Sequence, residues 1–315
     1  MQIVITDGYT LNPGDLSWDA FKNIGQVKYY DRSTAGEVTE RCREATIIIT
    51  NKTPITIETM QAASNLKLIA VTATGYNIVD VAAAKQKGIL VCNVPEYGTD
   101  SVAQHTISLL LELTNHTGKH AQSVQEGEWE KSIDWCYTKT PIMELSSKAM
   151  GIVGFGRIGQ KVAIIAKSLG MKIIFYNPNK QSDFAMSVSL EELFSQSDVI
   201  SLHCPLKPGN LEFVNKDLLS LIKPTTFLIN TSRGQLINEQ DLADALQQEK
   251  LAGAALDVLS AEPPVNGNPL IGLPNCIITP HIAWKSFEAR QRLMQTTLDN
   301  VKAVLAGHPQ NVVNV

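Results

Sequence analysis

The sequence predicts an α/β protein built on two parallel β-sheets, and three observations carry that prediction. Short apolar runs rich in β-branched residues recur along the 315 residues with helix-length stretches between them, the pattern of repeated βα units. The runs fall into two series, one before and one after residue 150. A composition of 44% hydrophobic and 18% charged residues supplies apolar surface for two cores and excludes intrinsic disorder.

Taken in order, the first series places strands at 3–6, 27–30, 47–50, 68–72 and 89–94. The second places them at 151–154, 172–176, 199–203, 226–230, 254–258 and 277–279. Ser189-Leu190-Glu191-Glu192 has capping-box spacing, in which a serine and a glutamate satisfy each other's backbone amides at a helix start. Gly170 and Gly253 stand where the preceding helices should stop. Long helices are expected over 101–120, after Pro95-Glu96-Tyr97-Gly98, and over 286–305, and each can carry the chain between domains. The stretch 122–140, with Trp129 and Trp135 in polar surroundings, is expected to form a long loop.

Charge narrows the partners. With 27 Lys and Arg against 31 Asp and Glu, the net charge of −4 offers no basic excess for nucleic acid or an anionic membrane. The start, Met1-Gln2-Ile3-Val4-Ile5-Thr6-Asp7, lacks a basic flank and a signal-length apolar run, and no apolar run approaches the ~18 residues of a spanning helix. A cytoplasmic protein is expected. Cys42, Cys92, Cys136, Cys204 and Cys276 are odd in number and never spaced Cys-x-x-Cys, which fits neither a disulfide framework nor a zinc site and reads as reduced thiols.

The strongest motif follows residue 153. Gly154-Phe155-Gly156-Arg157-Ile158-Gly159 comes directly after the strand Gly151-Ile152-Val153 and opens a helical run over 160–169, the strand-turn-helix setting of a dinucleotide fingerprint. Gly154 permits the tight turn, Gly156 lets the backbone approach a pyrophosphate, and Gly159 lets helix and strand pack closely. The amides at the helix start then face the anion. Where an acidic residue would accept from the adenosine ribose, after the strand 172–176, this chain has Asn177-Pro178-Asn179-Lys180. An amide can bond a ribose hydroxyl but does not repel a 2′-phosphate, so the cofactor is NAD or NADP, with NAD favoured.

Three polar residues follow strands of the second series: Arg233 after 227–232, Glu262 after 255–258 and His281 after 277–280. In a doubly wound sheet, residues just past the strands' carboxyl ends gather at the ligand crevice. Separately, these three could be an ion-pair arginine, an exposed carboxylate before a Pro-Pro turn and a capping histidine; together they outline a catalytic set.

With Asn230-Thr231-Ser232-Arg233-Gly234, Asp257 through Glu262-Pro263-Pro264, and Thr279-Pro280-His281, the chain resembles the D-isomer-specific 2-hydroxyacid dehydrogenase family over nearly its whole length. Val71-Thr72-Ala73-Thr74-Gly75-Tyr76-Asn77, Asn93-Val94-Pro95, Ser101-Val102-Ala103-Gln104 and His281-Ile282-Ala283-Trp284 resemble its glycerate dehydrogenase branch most. The chain departs from the frequent pattern in having Ala73 for a glycine and Asn77 for an aspartate.

The resemblance and the position of the last helix imply two Rossmann-like domains. A discontinuous substrate domain would comprise 1–100 and 284–315, with a dinucleotide-binding domain, 101–283, inserted. Two crossings would let the lobes hinge shut over a small substrate. The implied activity is hydride transfer between NAD(P)H and a small 2-keto acid or D-2-hydroxy acid, hydroxypyruvate to D-glycerate being the best match and glyoxylate a further substrate. The alternatives are another D-2-hydroxyacid dehydrogenase, such as one acting on D-lactate, or an NAD-sensing corepressor-like binding protein. Related formate enzymes carry glutamine at the position of Glu262.

The resemblance also implies roles. Arg233 would hold the substrate's carboxylate and ketone oxygens with a fixed fork. The backbone amides of Thr74 and Gly75 would form a carboxylate nest. His281 would exchange the proton, and Glu262 would orient it and favour its protonated form. Asp257 would hold the nicotinamide carboxamide, and Arg157, Ile158, Cys204, Pro205, Asn210, Thr231 and Ser232 would line the cofactor. No metal is needed, and a homodimer is the family's usual state.

Four features admit two readings. Glu112, His116 and His120 recur every four residues and could share a helical face as metal ligands, or be polar residues in solvent or at a subunit contact. Trp284 could roof the substrate or pack the last helix. Lys52 could add charge over the substrate carboxylate or be a solvated loop lysine. Trp129 and Trp135 could reach a partner's site if their loop crosses a dimer interface.

Overall fold

Five parallel strands, β1 (Gln2–Ile5), β2 (Gln26–Tyr29), β3 (Ile47–Thr50), β4 (Leu68–Val71) and β5 (Leu90–Cys92), form a sheet in the order β2-β1-β3-β4-β5. The computed structural model describes residues 1–314. This sheet belongs to the first of two compact units, which comprises Met1–Gly98 and Lys285–Val315; the second is Thr99–Trp284. Ile3, Val4, Ile5, Ile47, Ile48, Ile49 and Leu68 are at most 1% exposed, so both faces of the central strands are covered and the strands read as unbroken apolar runs. Short helices α1 (Gly8–Leu11), α2 (Asp19–Lys22), α3 (Ala35–Cys42), α4 (Ile57–Ala62) and α5 (Val81–Gln86) occupy the connections.

The second unit carries seven parallel strands, β6 (Ala149–Val153), β7 (Lys172–Tyr176), β8 (Met186–Ser187), β9 (Val199–Leu202), β10 (Phe227–Asn230), β11 (Gly253–Leu256) and β12 (Cys276–Ile278). Their order is β12-β11-β10-β9-β6-β7-β8, so the winding reverses between β6 and β9. Around them run α6 (Thr99–Asn115), α7 (Thr117–Gln125), α8 (Arg157–Ser168), α9 (Leu190–Gln196), α10 (Lys216–Leu219) and α11 (Glu239–Gln247). Apolar clusters cover both faces of the sheet, one with Leu193, Leu228 and Leu256, the other with Leu110, Ile152 and Phe175. The chain then returns to the first unit as α12 (Phe287–Leu305), which packs on β4. The segment beyond it bonds the edge strand β5, with the Val313 amide donating to the Val91 carbonyl at 2.9 Å.

The α/β class and the two parallel sheets are as the sequence predicts, and three local expectations need correction. The helix expected over 101–120 is two helices, because His116 adopts the left-handed conformation (φ 48°) and breaks it. The second of these runs to Gln125, so the loop starts later than the polar composition suggests. Gly253 ends no helix: α11 stops at Gln247, Glu249 makes the left-handed turn (φ 52°), and Gly253 opens β11, where a Cβ would come 2.9 Å from the Asn275 carbonyl. The edge strand β8 escapes sequence reading because its two residues are exposed and form no apolar run. At Ser189 the capping box forms, with the Glu192 amide donating to Oγ at 3.1 Å and the Ser189 amide donating to the Glu192 carboxylate at 2.9 Å. Among the described residues no helix is long and apolar enough to cross a membrane, and the five cysteines are free thiols.

Candidate active site

The sheet reversal between β6 and β9 places a crevice at the carboxyl ends of the second unit's strands, where open α/β sheets bind ligands. Every cofactor-lining or catalytic residue that the sequence marks in this unit follows one of those ends. Gly154 to Gly159 follow β6, Asn177 follows β7, Cys204, Pro205 and Asn210 follow β9, Thr231 to Arg233 follow β10, Asp257 and Glu262 follow β11, and His281 follows β12.

The fingerprint glycines differ in what they make possible. Gly154 has φ +95°, and a Cβ there would lie 2.6 Å from the Cys204 nitrogen and the His203 carbonyl carbon. At Gly159 a Cβ would fall 2.2 Å from the Gly154 carbonyl, so the first turn of α8 rests on the strand end. Gly156 caps α8, and nothing lies within 4 Å of where its Cβ would be, which leaves the helix's first amides reachable by an anion. Phe155 is buried and stacks on Phe175 with ring centroids 4.0 Å apart, bracing the turn from beneath. This cradle fits a dinucleotide pyrophosphate.

Beyond β7, the Asn177 Oδ1 accepts from the Asn179 amide at 3.1 Å, which orients the side-chain NH2 away from the turn. Asn210 donates to the Pro205 carbonyl at 2.9 Å and Ser232 to the Cys204 carbonyl at 2.6 Å, so the β9 and β10 loops brace each other. Burial pushes the Cys204 thiol up to about 11 and keeps it protonated. Beneath Gly154, His203 bonds Ser201 Oγ at 2.8 Å. Burial pushes its imidazole down to about 3, although the residue keeps some exposed surface.

The tightest polar contact is between Glu262 and His281. Their Oε2 and Nδ1 lie 2.6 Å apart. A carboxylate only accepts, so Nδ1 carries the hydrogen and Nε2 is left as the exchangeable position. The other Glu262 oxygen, Oε1, accepts from the Leu259 amide at 3.0 Å. His281 is itself left-handed (φ 54°), its amide donating to the Asp257 carbonyl at 2.8 Å.

Arg233 is exposed and has no direct bond to this pair; its Nη1 donates to the Ser232 carbonyl at 2.7 Å. Its neighbour Gly234 lies against the backbone of Leu259, where a Cβ would come 1.9 Å from the carbonyl carbon. Backbone contact this close holds the arginine loop against the segment that carries Glu262. Buried Asn230 fixes the loop from inside, donating to the Arg233 carbonyl at 2.8 Å and accepting from the Ser232 amide at 2.9 Å.

Asp257, 1% exposed, is the hub of the 279–283 turn. Its Oδ1 accepts from Thr279 Oγ1 at 2.6 Å and the Ile282 amide at 2.9 Å, and its Oδ2 from the Ala283 amide at 2.8 Å. Burial works to raise its carboxyl, but hydrogen bonds from His105, Thr279 and the two amides outweigh it and hold the group below the usual carboxylate range. Sequence reasoning assigns no role to His105, nor to Thr279 although it stands in the Thr279-Pro280-His281 motif; the signal for His105 is the four-residue spacing of Ser101 and His105 on one helix.

In the first unit, Thr74 and Gly75 follow β4. The Thr74 hydroxyl donates to the Val94 carbonyl at 2.8 Å, and Asn93 donates to the Thr74 carbonyl at 2.8 Å. Among the described residues the amides of Thr74 and Gly75 donate to no protein acceptor. Lys52 is exposed on a loop whose amides, from Asn51 to Thr53, all donate to the buried Asp7 carboxylate at 2.5–2.8 Å.

The break at His116 takes Glu112, His116 and His120 off a common helical face. The Glu112 carboxylate accepts from the Gly118 amide at 3.3 Å, while His120 bonds the His116 carbonyl through Nδ1 and accepts from the Lys139 amide through Nε2. Among the described residues no group of three metal-ligating side chains comes together.

Residues 107–283 match the family model described as the NAD binding domain of D-isomer specific 2-hydroxyacid dehydrogenase. The chain is 50% identical to the hydroxypyruvate reductase of Blautia hydrogenotrophica, over 100% of both chains. To the glycerate dehydrogenase of Methylorubrum extorquens it is 41% identical, over 91% of this chain and 92% of the relative. Among solved structures it matches a Thermus thermophilus protein at TM-score 0.89 and 32% identity, covering 99% of this chain and 100% of that one. It matches an acyclic imino acid reductase in complex with NADPH and D-arginine at TM-score 0.86 and 33% identity, with 99% and 100% covered.

Proposed function

The chain belongs to the D-isomer-specific 2-hydroxyacid dehydrogenase family, and on that premise we propose that it reduces hydroxypyruvate to D-glycerate with a nicotinamide dinucleotide, and accepts glyoxylate as a smaller substrate. The observation that carries this reading is the 2.6 Å contact of Glu262 with His281. It leaves one ring nitrogen of His281 to exchange a proton, which keto-acid reduction needs and cofactor binding alone does not. The full-length likeness to a hydroxypyruvate reductase supports the choice of substrate.

The cofactor supplies the hydride when bound, and the chain's residues do the rest. Arg233 takes the carboxylate and ketone oxygens of the substrate, polarising the carbonyl. His281 holds a proton at Nε2 and gives it to the alkoxide oxygen, taking it back in the oxidative direction. Glu262 keeps the ring oriented and opposes the imidazolium charge. The amides of Thr74 and Gly75, which donate to no protein acceptor among the described residues, suit a carboxylate. Gly154, Gly156, Arg157, Ile158 and Gly159 receive the pyrophosphate, Asn177 the adenosine ribose, and Asp257 the nicotinamide carboxamide, with Cys204, Pro205, Asn210, Thr231 and Ser232 along the groove.

NAD is the favoured cofactor, with NADP accepted. Asn177 presents donors and no charge, and Lys180 is exposed nearby, so a 2′-phosphate meets no repulsion. The relative solved with NADPH supports that tolerance. We further infer a cytoplasmic homodimer. Support for the dimer is the exposure of Trp129, Ile133 and Trp135 on one loop, apolar side chains of the kind a partner surface covers.

The test is oxidation of NADH and NADPH, followed by absorbance, with hydroxypyruvate, glyoxylate and pyruvate as a panel. The expected result is the highest kcat/KM for hydroxypyruvate. Faster turnover of pyruvate would move the chain to another dehydrogenase of the family, and no turnover of any keto acid would identify a nicotinamide-binding protein without this chemistry.

A further inference from the structure

Helix α6 touches the reaction end of the second unit through three side chains. Ser101 Oγ donates to the Ala283 carbonyl at 2.6 Å. His105 Nε2 lies 3.1 Å from Thr279 Oγ1 and 3.5 Å from Asp257 Oδ1. Thr106 Oγ1 lies 3.0 Å from Thr231 Oγ1, both buried. Ser101 and His105 are one turn apart and reach the two ends of the 279–283 turn that carries His281.

The hydrogens in this cluster can be assigned by elimination. Asp257 accepts only, so the hydroxyl hydrogen of Thr279 must lie in the 2.6 Å contact to Oδ1. That leaves Thr279 Oγ1 as an acceptor toward His105, which therefore carries its hydrogen on Nε2. The same hydrogen points toward Asp257 Oδ1 at longer range. With Thr279, the Ile282 amide and this contact, Oδ1 is fully used, while among the described residues Oδ2 accepts only the Ala283 amide. One acceptor position on Oδ2 is left for a donor from outside the chain.

We propose that His105 is a positioning residue for the nicotinamide end of the site: acting through Thr279, it holds Oδ1 of Asp257 so that Oδ2 is presented to the cofactor's carboxamide and the His281 turn stays in register. The proposal rests on the functional reading above, in which Asp257 meets the carboxamide. Among the described residues the side-chain partners of His105 are Thr279 and Asp257, not the ring of His281, so it acts through them. Its side chain is 20% exposed, so a substitution of similar size is accommodated without opening a large cavity.

The variants are His105→Leu, which removes the donor, His105→Gln, which keeps one, Thr279→Val, which breaks the relay at its next member, and the double variant His105→Leu with Thr279→Val. Cofactor binding is read directly by quenching of tryptophan fluorescence with NADH, without substrate, and folding by thermal unfolding. We expect His105→Leu to raise the NADH Kd about tenfold and lower kcat by a similar factor, with KM for hydroxypyruvate within about twofold, as loss of one partly buried hydrogen bond implies. His105→Gln should recover most of the lost affinity, and the double variant should be no worse than the poorer single one, since both act through one contact chain.

An NADH Kd for His105→Leu within about twofold of the parent overturns the proposal, and so does a glutamine variant no better than leucine or a double variant with additive losses. If His105→Leu unfolds, the comparison of His105→Gln with Thr279→Val decides alone. Because binding is read without turnover, the result stands even if the parent chain fails to reduce hydroxypyruvate.

Discussion

His281 depends on a single partner for its tautomer. Glu262 Oε2 accepts from Nδ1 at 2.6 Å, and the carboxylate is in turn pinned by the Leu259 amide at 3.0 Å. His281→Ala should lower kcat by about 10²- to 10⁴-fold, the range of a positioned acid. Glu262→Gln, which keeps the shape but offers an amide, should lower kcat about tenfold to a hundredfold with NADH affinity unchanged. Steady-state kinetics with hydroxypyruvate check both, and an alanine variant with parent kcat would remove His281 from the mechanism. At the other end of the groove, Asn177→Asp restores an acceptor with a charge. The ratio of kcat/KM for NADH over NADPH should rise about tenfold, because a carboxylate bonds ribose hydroxyls and repels a phosphate. An unchanged ratio would show that selection lies elsewhere.

At the scale of elements, the site depends on loops that touch backbone to backbone. The 3₁₀ turn after Arg233 lies so close to Leu259 and Ser260 that Gly234 admits no side chain. Ser260 is tied from the same side, its amide donating to Glu239 at 2.7 Å and its carbonyl accepting from Gln235 at 2.7 Å. Gly234→Ala should therefore displace the segment that carries Glu262. The expected outcome is a loss of about 1–3 kcal/mol in denaturant unfolding, as overpacking costs, together with a fall in kcat larger than the rise in KM. Parent-like kinetics would mean that the two loops are not coupled. The fingerprint shows the same logic at Gly159, against the Gly154 carbonyl.

For the whole molecule, acid sensitivity follows from His203. The folded chain holds this imidazole neutral, with burial pushing it down to about 3, whereas the unfolded chain takes up a proton as pH falls through about 6.5. Below that value protons favour the unfolded state, so stability is present above about pH 6.5 and declines between there and about pH 3, by at most ~1.4 kcal/mol per pH unit from this group. Denaturant unfolding at pH 7, 6 and 5 should show that slope in the parent and a shallower one in His203→Asn, and equal slopes would assign the effect to other groups. Self-association belongs to this scale as well. Ile133 is fully exposed and Trp135 is 86% exposed, so Ile133→Asp with Trp135→Glu should convert a dimer to a monomer in light scattering while leaving Tm of the monomer unit nearly unchanged.

The sequence by itself determined the α/β class, the two sheets and the dinucleotide cradle. Runs such as Ile47-Ile48-Ile49, short and β-branched, read as strands buried on both faces, and Gly154, Gly156 and Gly159 stand at spacings whose steric reasons are local. It also marked Arg233, Glu262 and His281, because each follows a strand end. What tertiary structure alone decided is how these residues are held: the Glu262 to His281 contact, the meeting of Gly234 with Leu259, and the chain from His105 to Thr279, across 174 positions of sequence, and on to Asp257. It decided as well that His116 breaks a helix that periodicity would continue, and that Gly253 serves strand packing and not a helix end. The physical reason is the same throughout. Periodicity and glycine spacing report a residue's near neighbours, whereas a hydrogen bond between segments far apart in the chain exists only once the sheet has brought them to one edge.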